Sequence, residues 1–230
     1  MKRLAIACAV SLVASSAFAA LSADEVKRLN QAAEILNDLR GAPDKGIPEE
    51  LWSKAQCVIV IPSMKKGAFI VGGEYGSGVM SCRTRDWSAP VFMQLAKGSW
   101  GLQIGAEEVD LVLLVMNRQG VDKLLEDKVS LGADVSVAAG PVGRAANAST
   151  DAKLGAEMLS YSRSKGLFAG TDLSGGVLRP DKDADARAYG AGVSARDVVM
   201  GTRQIATLEP ASVFLRALKR DVRATTGRKQ

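Results

Sequence analysis

Side chains that could perform catalysis are few in this sequence, and their types exclude the commonest reactions. The chain has 230 residues and contains no histidine. Ser-His-Asp and Cys-His catalysis and histidine-ligated metal sites are therefore excluded. The remaining candidates are carboxylates that stand close together in sequence, namely Glu107 with Glu108, and Asp181, Asp183 and Asp185.

These carboxylates could act as an acid and base pair or hold calcium, but solvated loop charge is the simpler interpretation. We expect residues 181–185 to form an exposed acidic loop. A cleft in which a carboxylate such as Asp134 meets Arg or Tyr with a strongly shifted pKa would favour an enzyme. The glycine-rich residues 72–78 lack the order G-x-G-x-x-G and no helical pattern follows them. We therefore predict no catalytic residue, cofactor or metal.

The first 19 residues are typical of a secretory signal peptide. Lys2 and Arg3 precede an uncharged stretch at residues 4–18, and small residues stand at positions 17 and 19. The stretch is shorter than the roughly 20 residues of a spanning helix, and charged residues follow it at once. A lipoprotein acylated at Cys8 would need a longer apolar region before that cysteine. We expect export and cleavage after Ala19.

Cleavage would leave two cysteines, Cys57 and Cys82, in a compartment where disulfides persist. We predict that they form a disulfide. Closing a loop of this length stabilises the fold by on the order of 3 kcal/mol in chain-entropy arguments. Two buried free thiols are the alternative.

Composition predicts one domain over residues 20–223, followed by a flexible tail at 224–230. Nearly half of the residues are apolar, enough for one substantial core. The formal net charge falls from +5 to +3 when the two basic residues of the signal peptide are removed. Basic residues are dispersed and form no nucleic-acid-binding module, so no nucleic acid is expected. An anionic membrane surface is a reasonable partner.

Helical spacing of apolar residues predicts an amphipathic helix at the start of this domain. Ser22 and Glu25 would form a capping box, and Gly41 with Pro43 would end the helix. The residues of its apolar face are Val26, Leu29, Ala33, Leu36 and Leu39. A short helix should follow from Pro48.

The centre of the chain combines short apolar runs with closely spaced glycines, which is typical of strongly bent antiparallel sheet. Pro62 is expected to end the first strand. The predicted strands cover residues 57–61, 68–75, 78–83, 89–96, 99–106 and 108–117.

Later segments alternate between helix and strand patterns. A helix is predicted over residues 119–127 with Asn117 near its cap, then strand alternation over 129–137 and a hairpin from 154–161 and 167–173. A basic amphipathic helix is predicted over 211–223. The fold class is α+β, with a strongly curved, Gly-rich antiparallel sheet, a partial barrel, and N-terminal and C-terminal helices packed on it.

Eight stretches in a fixed order carry a resemblance to a known family. They are residues 60–63 (VIPS), 66–73 (KGAFIVGG), 75–78 (YGSG), 87–90 (WSAP), 101–105 (GLQIG), 110–117 (DLVLLVMN), 138–144 (AAGPVGR) and 160–170 (SYSRSKGLFAG). This series resembles the SYLF family of lipid-binding domains, and the match runs from about residue 34 to residue 190. Such a long ordered series is specific.

The resemblance implies binding of anionic phospholipid head groups or membrane surfaces. The family links phosphoinositide membranes to cortical actin in eukaryotes and also occurs in exported bacterial proteins. This sequence resembles the exported bacterial proteins more than the eukaryotic ones. A periplasmic location is implied, with peripheral membrane association. Cytoskeletal actin is then not expected as a partner.

Three groups of residues are candidates for lipid contact. In the first helix, the apolar face would enter the headgroup boundary while nearby cations meet phosphates; these residues are Lys27, Arg28, Leu29, Leu36 and Leu39. Ordinary core packing is the alternative for this helix. The second group, beside turns, is Lys65, Lys66, Arg163 and Lys165, for which plain solvated charge is the alternative. The third, in the C-terminal helix, is Arg216, Lys219, Arg220 and Arg223.

Two other function classes stay open. An envelope structural or stress protein that acts through protein partners would show no lipid preference in vesicle flotation. A carrier that encloses a lipid in its sheet would retain extractable lipid after purification.

Overall fold

The computed structural model of the chain describes residues 21–41, 46–69, 71–100, 105–142, 155–164, 167–205 and 208–219. The predicted signal peptide and tail lie outside these ranges, as does Lys165. Six helices occur in the described parts: α1 (Ala23–Gly41), α2 (Glu49–Lys54), α3 (Arg118–Leu124), α4 (Lys182–Tyr189), α5 (Ala195–Met200) and α6 (Ala211–Lys219).

A membrane-crossing helix is not found among the described residues, since none of their helices is both long and apolar enough.

Nine strands of the described chain form one sheet. They are β1 (Cys57–Phe69), β2 (Val71–Cys82), β3 (Val91–Trp100), β4 (Gly105–Val115), β5 (Val129–Ser130), β6 (Val137–Ala139), β7 (Met158–Ser164), β8 (Leu167–Gly170) and β9 (Gly176–Pro180). Their order is β5-β9-β3-β2-β1-β4-β7-β6, and β8 pairs with β7. All pairs are antiparallel except β6 with β7. The sheet curls into a half-barrel with helices at its N- and C-terminal sides, which confirms the predicted α+β class.

The core lies on both faces of the central strands. In β1 the four consecutive residues from Val58 to Ile61 are all fully buried. The four residues from Leu111 to Leu114 of β4 are each at most 1% exposed. Consecutive strand residues point to opposite faces, so both faces must be covered. α1 covers one face of β1 and β2.

Pro62 does not end the first strand, contrary to the prediction. β1 continues to Phe69, and its pairing with β4 shifts register between Ile61 and Met64. Ser63 takes a φ of 47° at this irregularity, and its N–H donates to Asp110 Oδ1 at 2.9 Å. A proline lacks the N–H that a regular ladder uses, and the bulge accommodates it.

The predicted strands at residues 68–75 and 99–106 are also wrong, because the chain reverses within both segments. β1 ends at Phe69 and β2 begins at Val71, while β3 ends at Trp100 and β4 begins at Gly105. Apolar residues and glycines stand on both sides of each reversal, so the pattern gave no stop signal. β1 and β2 therefore form one long hairpin, which β3 flanks on the side of β2 and β4 on the side of β1.

Residues 129–137 form two short strands with a turn between them instead of a continuous alternation. Gly132 has a φ of +90°, which a strand cannot contain. Val129, Leu131 and Val135 are still buried, as the alternation predicted.

The hairpin prediction near the end of the sheet is confirmed, since β7 and β8 pair antiparallel from Tyr161 with Gly170 to Ser164 with Leu167. The cap prediction for α3 is confirmed too, because Asn117 accepts a hydrogen bond from the Gly120 N–H at 2.8 Å.

Cys57 and Cys82 stand directly opposite each other in the register of β1 and β2. Their Cα atoms are 3.9 Å apart and their sulfur atoms 2.04 Å apart. The fold thus places the two thiols at bonding distance.

Candidate functional site

α1 lies on the sheet with its apolar face inward. It contacts α6, β1 and β2. Leu29 and Leu36 are fully buried, and Leu39 is 3% exposed. These three leucines, which the sequence analysis assigned to lipid contact, pack as core in this conformation. They could reach a lipid only if α1 left the sheet.

The first turn of α1 holds a buried carboxylate. The predicted capping box is confirmed, since the Ser22 N–H donates to Glu25 Oε2 at 2.5 Å and the Glu25 N–H donates to Ser22 Oγ at 3.4 Å. Glu25 is fully buried. Its Oε1 accepts from Arg187 of α4, with Nε at 2.7 Å and Nη2 at 2.6 Å. A buried charge requires such a partner, so Arg187 ties α4 to α1.

Two further ion pairs fasten α1 along its length. Arg28 Nη1 lies 2.8 Å from Asp181 Oδ2, where the chain enters α4. Arg163 of β7 bridges Asp38 of α1, at 2.5 Å, and Asp110 of β4, at 3.0 Å. Both arginines were predicted to meet lipid. The structure uses them to hold α1 against the sheet, and carboxylates neutralise their charges.

The prediction of an exposed acidic loop at residues 181–185 is wrong for two of its three acids. Asp181 is 5% exposed and caps α4 by accepting from the Ala184 N–H at 3.2 Å. Asp185 is 2% exposed, and its Oδ1 accepts from the Phe92 N–H of β3 at 2.9 Å. Asp183 is exposed as expected. This segment is a helix start packed against the sheet, and its burial comes from partners distant in sequence.

The pKa values of the two buried aspartates are shifted in opposite directions, because their hydrogen-bond partners differ. Burial raises the pKa of Asp185 to about 7, and repulsion from Asp181 and Glu25 acts in the same direction. Asp185 Oδ2 is buried and has no hydrogen-bond partner among the described residues. Burial also opposes ionisation of Asp181, but the hydrogen bonds from Arg28 and the Ala184 N–H keep its pKa below the ordinary value. Sequence reasoning missed this cluster, although alanines four apart at 184 and 188 indicate a helix.

Basic residues remain exposed elsewhere. Lys27 of α1 and Lys65 of β1 are exposed. Lys65 stands opposite Tyr75 of β2, whose side chain is 48% exposed. One register step further, charged positions of alternating sign cross the four strands β3, β2, β1 and β4. This charged row is Lys97, Glu74, Lys66 and Glu107.

Beyond the charged row, no charged residue occurs in the paired ends of these strands. We name residues 67–69, 71–73, 98–100 and 105–106 the uncharged sheet end. Gly73 and Gly98, opposite each other, are exposed, and a Cβ placed on either would meet nothing within 4 Å. One face of the sheet is therefore open at these two positions, as far as the described residues extend.

The C-terminal helix α6 packs through its apolar side chains, and one of its predicted basic residues is ion-paired. Phe214 and Leu218 of α6 are buried. Lys219 is ion-paired with Asp86, and Arg216 is exposed. Arg220 and Arg223 lie outside the described residues.

Asp134, the carboxylate considered for catalysis, is exposed. Its Oδ2 accepts from the Ser130 N–H at 2.7 Å, and hydrogen bonding from Ser130 keeps its pKa below the ordinary value. It therefore acts as a cap of the turn between β5 and β6.

A cleft of about 500 Å³ lies between β9, α4 and the segment after α3. Its lining is dominated by charged side chains, which do not match an acyl chain. The lining residues are Gln94, Asp127, Lys128, Arg179, Pro180, Asp181, Lys182 and Asp183.

Fold and surface together define an α+β domain in which helices are tied by ion pairs to a curled, glycine-rich sheet. The profile of the Ysc84 family, described as Las17-binding protein actin regulator, matches residues 96–221. The chain belongs to this family, whose domain is the SYLF domain, and the predicted resemblance is thereby confirmed.

Curated relatives agree with this assignment. The chain is 35% identical to LAS seventeen-binding protein 3 of Saccharomyces cerevisiae over 182 residues, which are 74% of this chain and 39% of that protein. It is 33% identical to SH3 domain-containing YSC84-like protein 1 of Rattus norvegicus over 179 residues, 74% of this chain and 52% of that protein. The chain thus spans about two-fifths to one-half of the length of these relatives.

Proposed function

We propose that this protein is an exported, non-catalytic domain that binds anionic phospholipid surfaces from the periplasm. The observation that carries the proposal is the exposed pair Lys65 and Tyr75 at the border of the uncharged sheet end. Lysine meets lipid phosphates, and tyrosine favours the interface between water and lipid. The SYLF resemblance supports the same class of ligand.

Electrostatic attraction in this proposal comes from lysines that the fold leaves exposed, Lys27 and Lys65, and not from Arg28 or Arg163. A basic residue beside an anionic surface contributes about 1 kcal/mol, a roughly fivefold change in partitioning. The attraction should weaken as salt increases.

Vesicle flotation tests the role of each lysine. Lys65→Glu and Lys27→Glu are prepared separately, because the two residues lie on different elements. Reversing one charge removes one attraction and adds one repulsion, so a loss of about tenfold or more is expected at low salt for a residue that faces the membrane. Arg85→Glu is the matched control, since Arg85 is exposed in the connection at the opposite end of β2. Equal loss in all three variants would point to nonspecific attraction and contradict a defined surface.

Export also predicts that Cys57 and Cys82 are oxidised in the exported protein. Their cross-strand placement supports a disulfide between them. Non-reducing mass spectrometry should find no free thiol at either position, and reduction should lower stability by on the order of 3 kcal/mol. Two free thiols in the exported chain would contradict the prediction.

Action through a protein partner is the second candidate function. The family description mentions a Las17-binding protein, and one relative is named LAS seventeen-binding protein 3. Cytoskeletal partners are not accessible to an exported protein, so the partner would be an envelope protein. Absence of binding to any vesicle, with retention of an envelope protein on the immobilised domain, would favour this function.

A further inference from the structure

The uncharged sheet end has the composition of a surface that enters apolar medium. Its last register row brings together Phe69, Val71 and Trp100, the terminal residues of β1, β2 and β3. The residues that join these strands in sequence, Ile70 and residues 101–104, are also uncharged. Ten of the eleven positions in the uncharged sheet end are Gly, Ala or a large apolar residue, and the eleventh is Ser99.

Backbone pairing in this region extends to the strand ends, which matters because an unpaired peptide group costs several kcal/mol in a lipid environment. Gly67 pairs with both Gly73 and Ala106, and Gly73 also pairs with Gly98. The central strands β1 and β2 thus have a neighbour on each side within the uncharged sheet end. They could enter lipid without exposing unsatisfied ladder groups of those two strands.

The length of this region limits how deep it could enter. Phe69, at the end of β1, lies three residue steps beyond Lys66 of the charged row. At roughly 3.3 Å per residue this gives about 10 Å. A hydrocarbon core is roughly 30 Å thick, whereas interfacial elements enter by about 5–10 Å. The distance fits entry into one leaflet up to the charged row.

We propose that the uncharged sheet end is inserted into the outer part of one bilayer leaflet, with the charged row at the headgroup level. This inference rests on the proposed lipid-binding function and identifies the surface that meets the membrane. The charged row contains two lysines and two glutamates, so it adds no net charge. Insertion is driven by apolar area and contributes a part of the binding that resists salt.

Tryptophan fluorescence measures the insertion directly. Trp100 lies in the uncharged sheet end, whereas Trp52 is 3% exposed in the core and Trp87 is partly buried near the opposite end of the sheet. Vesicles with bromine on the upper acyl carbons should quench the wild-type fluorescence. The quenching should disappear in Trp100→Phe, while that variant still floats with the vesicles.

A charge placed at the strand end provides the second test. Val71→Asp should reduce binding at moderate salt about tenfold, since an apolar contact is lost and a charge enters the interface. Leu167→Asp is the matched control because Leu167 is 59% exposed at the start of β8, and it should bind like wild type. Circular dichroism of both variants verifies the fold.

The outcomes separate the two proposals. If the wild type floats with vesicles but Trp100 is not quenched and Val71→Asp binds normally, insertion is refuted and lipid binding stands. If the wild type binds no vesicle of neutral or anionic lipid, the proposed function itself fails. A dimer in solution that Val71→Asp dissociates, without quenching by lipid, would assign this end to a second copy of the chain and overturn the insertion.

Discussion

Replacing Asp185 with asparagine tests the buried carboxyl cluster between α4, α1 and β3. Asparagine has nearly the same shape and keeps an oxygen that can accept from the Phe92 N–H, the bond that Asp185 makes at 2.9 Å. The substitution removes the ability to ionise and places an amide group at the position of Oδ2, which changes stability by an amount that does not depend on pH. Any change in the pH dependence of stability can then be assigned to this carboxyl.

The size of the effect follows from the pKa of Asp185, which burial raises from the ordinary 3.8 to about 7. Below about pH 4 both the folded and the unfolded chain hold the proton, so Asp185 does not reduce stability. Between about pH 4 and pH 7 the unfolded chain releases the proton while the folded chain keeps it, and the free energy of unfolding falls. At about 1.4 kcal/mol per unit, the full loss is on the order of 4 kcal/mol.

Urea denaturation of wild type and Asp185→Asn, followed by circular dichroism from about pH 5 to about pH 8, measures this loss. The free energy of unfolding of the variant, relative to that of the wild type, should increase by roughly 2–3 kcal/mol over that interval. Asp181 does not obscure the result, because its pKa is lowered and its contribution is lost only at more acidic pH. Asp183→Asn, at an exposed position of the same helix, should parallel the wild type. If the free energy of unfolding of Asp185→Asn depends on pH in the same way as that of the wild type, the raised pKa of Asp185 is refuted.

Two further substitutions probe how α1 and the sheet are held. Arg187→Ala leaves the fully buried Glu25 without its guanidinium partner, and we expect urea denaturation to show a lower midpoint than wild type. Gly140→Ala would place a Cβ 2.1 Å from Cζ of the buried Tyr161 ring, which should cost about 1–3 kcal/mol. Gly98→Ala, with open space around its Cβ, should leave the melting temperature nearly unchanged.

Much of the fold could be predicted because its signals are local. The capping box of Ser22 and Glu25 and the Asn117 cap follow from side chains that bond to backbone groups three residues away. The antiparallel sheet follows from short apolar runs punctuated by glycines. The family follows from eight motifs in order.

The surroundings of α1 could not be predicted, because a helical stripe of leucines has the same spacing whether a sheet or a membrane covers it. Leu29, Leu36 and Leu39 are core residues in the fold. Arg28 similarly looks like a free cation in sequence, but its partner Asp181 is 153 positions away. Only the tertiary structure identifies such contacts.

The acidic segment at residues 181–185 illustrates the same limit. Asp-Lys-Asp-Ala-Asp is locally as polar as any exposed loop, and the burial of Asp185 depends on Phe92, 93 positions earlier in the chain. The ends of β1 and β3 were missed for a different reason. Apolar residues and glycines continue through the reversals, so the strand pattern did not mark where β1 and β3 end.

Co-flotation of the exported, mature chain with vesicles of neutral or anionic phospholipid, at low and at moderate salt, measures lipid-surface binding by this domain. We predict binding to anionic vesicles that weakens but persists as salt increases, and weaker binding to neutral vesicles that changes little with salt. Failure to float with any vesicle under these conditions would contradict lipid-surface binding as the function of this domain.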